Sequence, residues 1–198
     1  CYDRPADAAA LVDFLEPIAA AAPDLPFFYY HIPGQSGVHL AMTDLLDAAA
    51  GRLTTLAGIK FTHEDLMDFG RAVQHWPEGR MLFGRDEMLL AGLAMGASGG
   101  VGSTYNFAGP WYRHIREAYA AGEMPTARQW QARASEMIAI GIRHGGLAAF
   151  RAIMGLTGLE LGPPLAPQRA LDAAAVAALR AELASAGLLE HLPEHRGV

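Results

Sequence analysis

The chain has 198 residues, is 52% hydrophobic and carries a formal net charge of -6, which is typical of a soluble globular protein with one sizeable core. This mildly acidic balance excludes the basic surface expected of a nucleic-acid or anionic-membrane partner. The single cysteine excludes an internal disulfide framework and a thiolate metal cluster. We expect a cytoplasmic protein, since no apolar run has the length of a membrane span and acidic and basic residues interrupt the start of the chain.

In chain order, the first hundred residues alternate between predicted helices and short apolar strands. We predict strands at 27–32, 56–61, 80–83 and 99–103. The predicted helices lie at 6–22, at 44–50 with Thr43 as N-cap, at 63–75 and at 86–95. This alternation favours an α/β fold with a parallel sheet and helices outside it.

After Asn106 the pattern changes to helices alone. We predict them at 110–121, 125–143, 147–156 and 171–189, with a proline-rich connector before the last. The sequence therefore predicts βα repeats followed by a C-terminal helical region.

Lys60 is the only lysine, beside fourteen arginines. Arginine can replace lysine wherever only a positive charge is needed, but a guanidinium cannot lose its proton and attack carbon. The alternative is that Lys60 has no special role and is a lysine left by chance in a lysine-poor sequence. Because Lys60 lies near the end of the apolar run at 56–61, where desolvation disfavours the charged ammonium, we predict an amine that forms a Schiff base with a 2-oxo acid.

In a βα barrel the C-terminal ends of the strands face the active site. The first strand then presents Tyr30, whose phenol is suited to carry protons next to Lys60. Strand alternation allows only one of Tyr29 and Tyr30 to face inward, and Tyr29 is expected in the core. The other strand ends present Thr62, Gly84, Asp86, Glu87, Ser103, Thr104 and Tyr105.

Four motifs follow one another at these strand ends: Tyr-His-Ile-Pro from Tyr30, Gly-Ile-Lys-Phe-Thr from Gly58, Phe-Gly-Arg-Asp-Glu from Phe83, and Gly-Gly-Val-Gly-Ser-Thr-Tyr-Asn from Gly99. In order and spacing they resemble the N-acetylneuraminate lyase branch of the dihydrodipicolinate synthase/N-acetylneuraminate lyase family of class I aldolases. The dihydrodipicolinate synthases share the first two motifs but usually lack the last, so the lyase branch fits better.

The resemblance implies a role for each matching residue. Lys60 would be the Schiff-base nucleophile and Tyr30 the proton-relaying phenol, with no metal and no separate cofactor. The sugar-derived part of the substrate would be contacted by Thr62, Gly84, Asp86, Glu87 and Ser103. For Asp86 and Glu87, the preference of helix N-termini for acidic residues is an alternative that does not exclude this role.

The resemblance also implies the C-terminal half of a TIM (β/α)8 barrel. Residues 1–107 would supply strands five to eight, and residues 108–198 the last barrel helix and a helical appendix. A complete barrel has eight strands, so we expect a fragment whose carboxylate-binding loop lies upstream of Cys1. The intact family implies a homotetramer.

Three functions stay open. The first is cleavage of N-acetylneuraminate to pyruvate and N-acetylmannosamine. The second is a related lyase or dehydratase reaction on another 2-oxo acid, and the third is a half barrel without activity of its own. The eight histidines show no metal-binding spacing, and the glycine-rich run at 96–103 lacks the Gly-Lys-Ser/Thr of a phosphate loop.

Overall fold

The computed structural model describes residues 4–193, which divide into two compact units. The first unit contains residues 4–85 and 91–101, and the second contains residues 86–90 and 102–193.

The first unit is built on a sheet of four parallel strands in the order β1-β2-β3-β4. The strands are β1 (Phe27–His31), β2 (Leu56–Phe61), β3 (Arg80–Phe83) and β4 (Gly99–Gly100). The unit also contains α1 (Ala8–Ala20), α2 (Pro33–Ser36), α3 (Met42–Ala49) and α4 (Leu66–His75). The helix α5 (Leu89–Ala94) belongs to this unit from Ala91 onward, whereas its first two residues and the preceding 3-10 turn at Asp86–Met88 belong to the second unit. The predicted alternation of strands and helices, with four parallel strands, is confirmed.

An aromatic cluster forms the core beneath this sheet. Phe61 and Phe83 project from neighbouring strands on the same face of the sheet. Phe69 of α4 packs on both, with its ring centroid 5.2 Å from that of Phe61 and 5.1 Å from that of Phe83. All three are at most 1% exposed. Burial of each such side chain contributes about 1.5–3 kcal/mol, so the aromatic cluster fixes the face of β2 that points away from Lys60.

The second unit is helical. It contains α6 (Tyr105–Ala120), α7 (Met124–Arg143), α8 (Leu147–Leu156), α9 (Ala173–Ser185) and a 3-10 turn at Leu189–His191. Trp111, Ile115, Met137, Ile140 and Leu179 are fully buried in it. The Trp111 indole Nε1 donates to the His191 carbonyl at 2.7 Å, which attaches the C-terminal turn to α6.

Several predicted boundaries are wrong. The fourth strand ends at Gly100 rather than 103, and α6 begins at Tyr105 rather than 110. Pro110 lies inside α6, just after a kink at Ala108, where a missing N–H costs little because the helical pattern is already interrupted.

Two further boundary predictions concern helix caps. Thr43 is not an N-cap, since α3 begins at Met42 with Ala41 as its cap and no side-chain capping bond. The helix after β2 begins at Leu66 rather than His63, because the Asp65 side chain accepts from the Asp68 N–H at 3.0 Å and caps it there.

Within residues 4–193, no single helix is both long and apolar enough to cross a membrane. One bent pair, Met124–Arg143 with Leu147–Leu156, passes the same test of length and composition, with an angle of 115° between its halves.

Candidate active site

The parallel register of the sheet places Tyr30 beside Lys60, and Lys60 beside Leu82. Partners in register project to the same face, so the three side chains form a row across β1, β2 and β3. The Lys60 Nζ lies 3.9 Å from the centroid of the Tyr30 ring. The amine and the phenol that the sequence singled out are therefore direct neighbours.

Neighbouring residues of β1 divide between the two faces of the sheet. Tyr29 is 8% exposed and lies in the core, whereas Tyr30 is 45% exposed. Burial raises the pKa of Tyr29, which keeps that phenol neutral. Tyr30 is the tyrosine that shares a face with Lys60, as strand alternation predicts.

Thr62 and Gly84 meet just beyond the ends of β2 and β3. A Cβ on Gly84 would lie only 1.9 Å from the Thr62 Oγ1, so only glycine lets the hydroxyl occupy this position. Among the described residues, this buried Oγ1 has no hydrogen-bond partner. A buried hydroxyl without a partner is costly, and a bound ligand with a donor or acceptor would relieve that cost. We call Tyr30, Lys60, Thr62 and Gly84 the Lys60 cluster.

The remaining predicted site residues, Asp86, Glu87 and Ser103, belong to the second unit. Asp86 is 6% exposed, Glu87 is half-buried and Ser103 is exposed. Asp86 and Glu87 open the 3-10 turn before α5, as the alternative reading of an acidic helix start expects. The two readings are compatible.

The partners that hold Asp86 were not predicted from the sequence. Its Oδ2 accepts from the Thr104 N–H at 3.0 Å and from the Thr104 hydroxyl at 2.5 Å, and the Tyr112 hydroxyl lies 2.6 Å from that hydroxyl. A Cβ on Gly102 would lie 1.5 Å from the Asp86 Oδ1. We call Asp86, Gly102, Thr104 and Tyr112 the Asp86 network. Thr104 was among the predicted strand-end residues, but nothing in the local pattern pointed to Tyr112 two helical turns later.

His31 lies on the face of β1 opposite Tyr30 and is 2% exposed. With His39 and His63 it lines a pocket of about 270 Å³ that also contains Asp65, Asp68 and Arg71. Burial, assisted by the neighbouring His63 and His39, lowers the pKa of His31 to about 4. Within residues 4–193 no group of three His, Cys, Asp or Glu side chains is arranged to hold a metal ion.

The sequence and the fold of this chain have counterparts in known proteins. Residues 2–186 match the dihydrodipicolinate synthetase family. The chain is 43% identical over 162 residues to N-acetylneuraminate lyase of Mus musculus, a match that covers 80% of this chain and 51% of that protein.

Two solved structures share the fold. N-acetylneuraminate lyase (sialic acid aldolase) from Aliivibrio salmonicida matches 97% of this chain and 64% of its own, with a TM-score of 0.90 and 35% identity. The Proteus mirabilis N-acetylneuraminate lyase matches 95% of this chain and 64% of its own, with a TM-score of 0.88 and 33% identity.

The chain spans about half the length of the curated relatives it matches. The four parallel strands and their helices are a partial TIM barrel, as the sequence predicted. By the extent of these matches and by its fold, the chain belongs to the dihydrodipicolinate synthetase family.

Proposed function

We propose that the whole protein to which this chain belongs is a class I aldolase that cleaves N-acetylneuraminate to pyruvate and N-acetylmannosamine. The observation that carries the proposal is the contact between the chain's only lysine and Tyr30, at the C-terminal end of a parallel sheet. Active sites of βα barrels lie at that end.

Lys60 acts as the nucleophile. Its neutral amine attacks the 2-oxo carbon of the substrate, and loss of water gives an iminium. When the proton leaves the C4 hydroxyl, the C3–C4 bond breaks and its electrons move into the iminium, which becomes an enamine. Protonation of the enamine at C3 and hydrolysis then release pyruvate and restore Lys60.

Tyr30 carries protons for this sequence. The ring packs against the Lys60 amine and is 45% exposed in the described chain, which supports a role for its phenol in contact with substrate. A phenol that can donate and accept is suited to take the proton of the C4 hydroxyl and return it to the enamine.

The sugar-derived part of the substrate is the proposed ligand of Thr62, Gly84, Asp86, Glu87 and Ser103. The partnerless Thr62 Oγ1 beside Gly84 supports this assignment, since a polyol hydroxyl would supply the missing hydrogen bond. The acidic pair offers further acceptors for hydroxyl donors. We also propose, from the family resemblance, that the whole protein is a cytoplasmic homotetramer that needs no separate cofactor.

A second candidate is a lyase or dehydratase acting on another 2-oxo acid through the same iminium. The match to a family whose description is dihydrodipicolinate synthetase favours it. The names of the mouse, Aliivibrio and Proteus relatives favour N-acetylneuraminate. A panel of 2-oxo acids, with pyruvate release as the readout, separates the two.

The decisive test is reductive trapping in the whole protein. Pyruvate with borohydride should leave a stable adduct, which peptide mass mapping should find on the Lys60 peptide. Absence of an adduct, or an adduct confined to another residue, would overturn the Schiff-base assignment. An adduct on Lys60 without cleavage of N-acetylneuraminate would overturn the substrate alone. The third possibility, a half barrel without activity of its own, predicts that residues 1–198 expressed by themselves fail in both assays.

A further inference from the structure

A chain of three buried side chains ends at Asp86. Tyr112, Thr104 and Asp86 are 3%, 1% and 6% exposed. The Tyr112 hydroxyl lies 2.6 Å from the Thr104 hydroxyl, which lies 2.5 Å from the Asp86 Oδ2. The Thr104 N–H reaches the same Oδ2 at 3.0 Å.

The direction of these hydrogen bonds is fixed by chemistry. The Thr104 hydroxyl donates its one proton to the Asp86 Oδ2. The Thr104 oxygen must then accept from Tyr112. Burial raises the pKa of Tyr112 well above its ordinary value, although the Thr104 hydrogen bond opposes this, so the phenol stays protonated and available as a donor.

The backbone around Asp86 is held from the other side by α7. Gln131 Nε2 donates to the Asp86 carbonyl at 3.2 Å, and its Oε1 accepts from the Leu90 N–H at 2.9 Å. The Ser135 hydroxyl lies 3.0 Å from the Glu87 carbonyl and 2.8 Å from the Gln131 carbonyl, and these two oxygens share its one proton. The acidic pair therefore has a fixed backbone, and the Asp86 carboxylate also has a fixed rotation.

The absence of a side chain at Gly102 completes the enclosure. The Asp86 Oδ1 fills the space where a Cβ on residue 102 would lie, at 1.5 Å. One carboxylate oxygen is thus held by Thr104 and the other lies against the Gly102 backbone. Rotation of the carboxylate about its χ2 bond would break both Thr104 hydrogen bonds.

We propose that Thr104 and Tyr112 are positioning residues, which hold the Asp86 carboxylate in the orientation that recognises the polyhydroxylated part of the substrate. This rests on the proposed function, in which Asp86 contacts that part. Orientation before binding lowers the cost of recognition. The hydrogen bonds of Thr104 and Tyr112 go to Asp86 and to each other, so their effect should fall on sugar recognition and spare iminium formation at Lys60.

The test compares four variants of the whole protein: Tyr112→Phe, Thr104→Val, Thr104→Ser and Tyr119→Phe. Thr104→Ser keeps the hydroxyl and is the conservative rescue. Tyr119 lies on the same helix as Tyr112 and is half-buried, and its hydroxyl makes no hydrogen bond among the described residues, so Tyr119→Phe is the matched control.

Tyr112→Phe and Thr104→Val should raise the KM for N-acetylneuraminate about 10-fold, the equivalent of one lost hydrogen bond. Borohydride trapping of pyruvate on Lys60 should stay within about twofold of wild type, because it does not involve the sugar. Thr104→Ser and Tyr119→Phe should keep both values near wild type.

Two results would overturn the positioning role. One is an unchanged KM in Tyr112→Phe and Thr104→Val together with a lower melting temperature. This result would show that the network stabilises the fold without contributing to substrate recognition. The other is an equal loss of sugar recognition and pyruvate trapping, which would indicate general damage. If the wild-type protein itself traps no pyruvate, the proposed function fails, and this proposal fails with it.

Discussion

The Lys60 cluster and the Asp86 network use the same steric device for different ends. In each, a glycine makes room for a polar side chain that a Cβ would displace: Gly84 for the Thr62 hydroxyl and Gly102 for the Asp86 carboxylate. The Asp86 carboxylate has two hydrogen bonds from Thr104. The Thr62 Oγ1 has none among the described residues.

The difference indicates that the Thr62 hydroxyl is left to hydrogen-bond with a ligand, whereas the Asp86 carboxylate is already oriented by hydrogen bonds within the protein. A buried polar atom without a partner costs about 1–3 kcal/mol, and such a cost persists where function requires it. The Asp86 carboxylate has no such cost, and its fixed orientation would favour ligand binding. The Lys60 cluster should therefore be sensitive in activity and tolerant in stability, and the Asp86 network should be sensitive in stability.

The largest expected effect is on activity at Lys60. Lys60→Arg keeps the charge but supplies no neutral amine, so turnover should fall by about 10³-fold or more, and pyruvate trapping should disappear. Urea unfolding should be nearly unchanged. Glu87→Gln is the contrast, because it should weaken handling of the sugar while trapping continues. Trapping that survives Lys60→Arg would remove Lys60 from its assigned role.

The two glycines provide the next comparison. Gly102→Ala would displace a buried carboxylate from both Thr104 bonds, so unfolding free energy should fall by about 3 kcal/mol. Gly84→Ala displaces a hydroxyl that has no partner to lose, and should cost about 1–2 kcal/mol from overpacking.

Gly109→Ala and Gly34→Ala are the matched controls in the two units, since a Cβ at either position meets nothing within 4 Å. Both should stay within about 0.5 kcal/mol of wild type or gain slightly. Equal losses for Gly102→Ala and Gly84→Ala, measured by chemical denaturation, would erase the proposed contrast.

A threonine-to-valine substitution at each of two positions tests the same contrast between a hydroxyl with hydrogen-bond partners and a hydroxyl without them. Thr104→Val removes a hydroxyl that bonds to both Asp86 and Tyr112, and should destabilise the protein by about 2–3 kcal/mol. Thr62→Val removes a hydroxyl without a partner, so stability should change by less than about 0.5 kcal/mol or rise. The KM for N-acetylneuraminate should rise in Thr62→Val. A stability loss of similar size at both positions would show that Thr62 has a structural bond in solution.

The last prediction concerns pH and His31, whose buried Nδ1 also has no partner among the described residues. Its folded pKa of about 4 lies below the ordinary 6.5, so the unfolded chain binds more protons and stability is lost as pH falls. Between pH 7 and pH 5 this should remove about 2 kcal/mol.

The measurement is urea unfolding across that pH range in wild type and in His31→Asn. The difference between the two isolates His31 from the other pocket groups, His39, His63, Asp65, Asp68 and Arg71. Parallel pH curves for the two proteins would contradict the lowered pKa.

Local sequence patterns were enough for most elements of this fold. The strands at Leu56–Phe61 and Arg80–Phe83 and the helix at Leu147–Leu156 begin and end where the apolar runs and their punctuating residues predict. Composition pointed to Lys60, because a single lysine beside fourteen arginines indicates a position that needs an amine able to lose its proton, which a guanidinium cannot do. Strand alternation assigned Tyr29 and Tyr30 to opposite faces.

Other features depended on distant contacts. The last strand is only two residues long because pairing with β3 covers Leu82 and Phe83 alone, and α3 begins before Thr43 without a side-chain cap. The Asp86 network joins residues up to 26 positions apart, and the fit of Gly84 against Thr62 joins two strand ends. Local propensity and periodicity describe neighbours along the chain, whereas burial, register and the partners of a buried polar atom are set by the packing of separate elements.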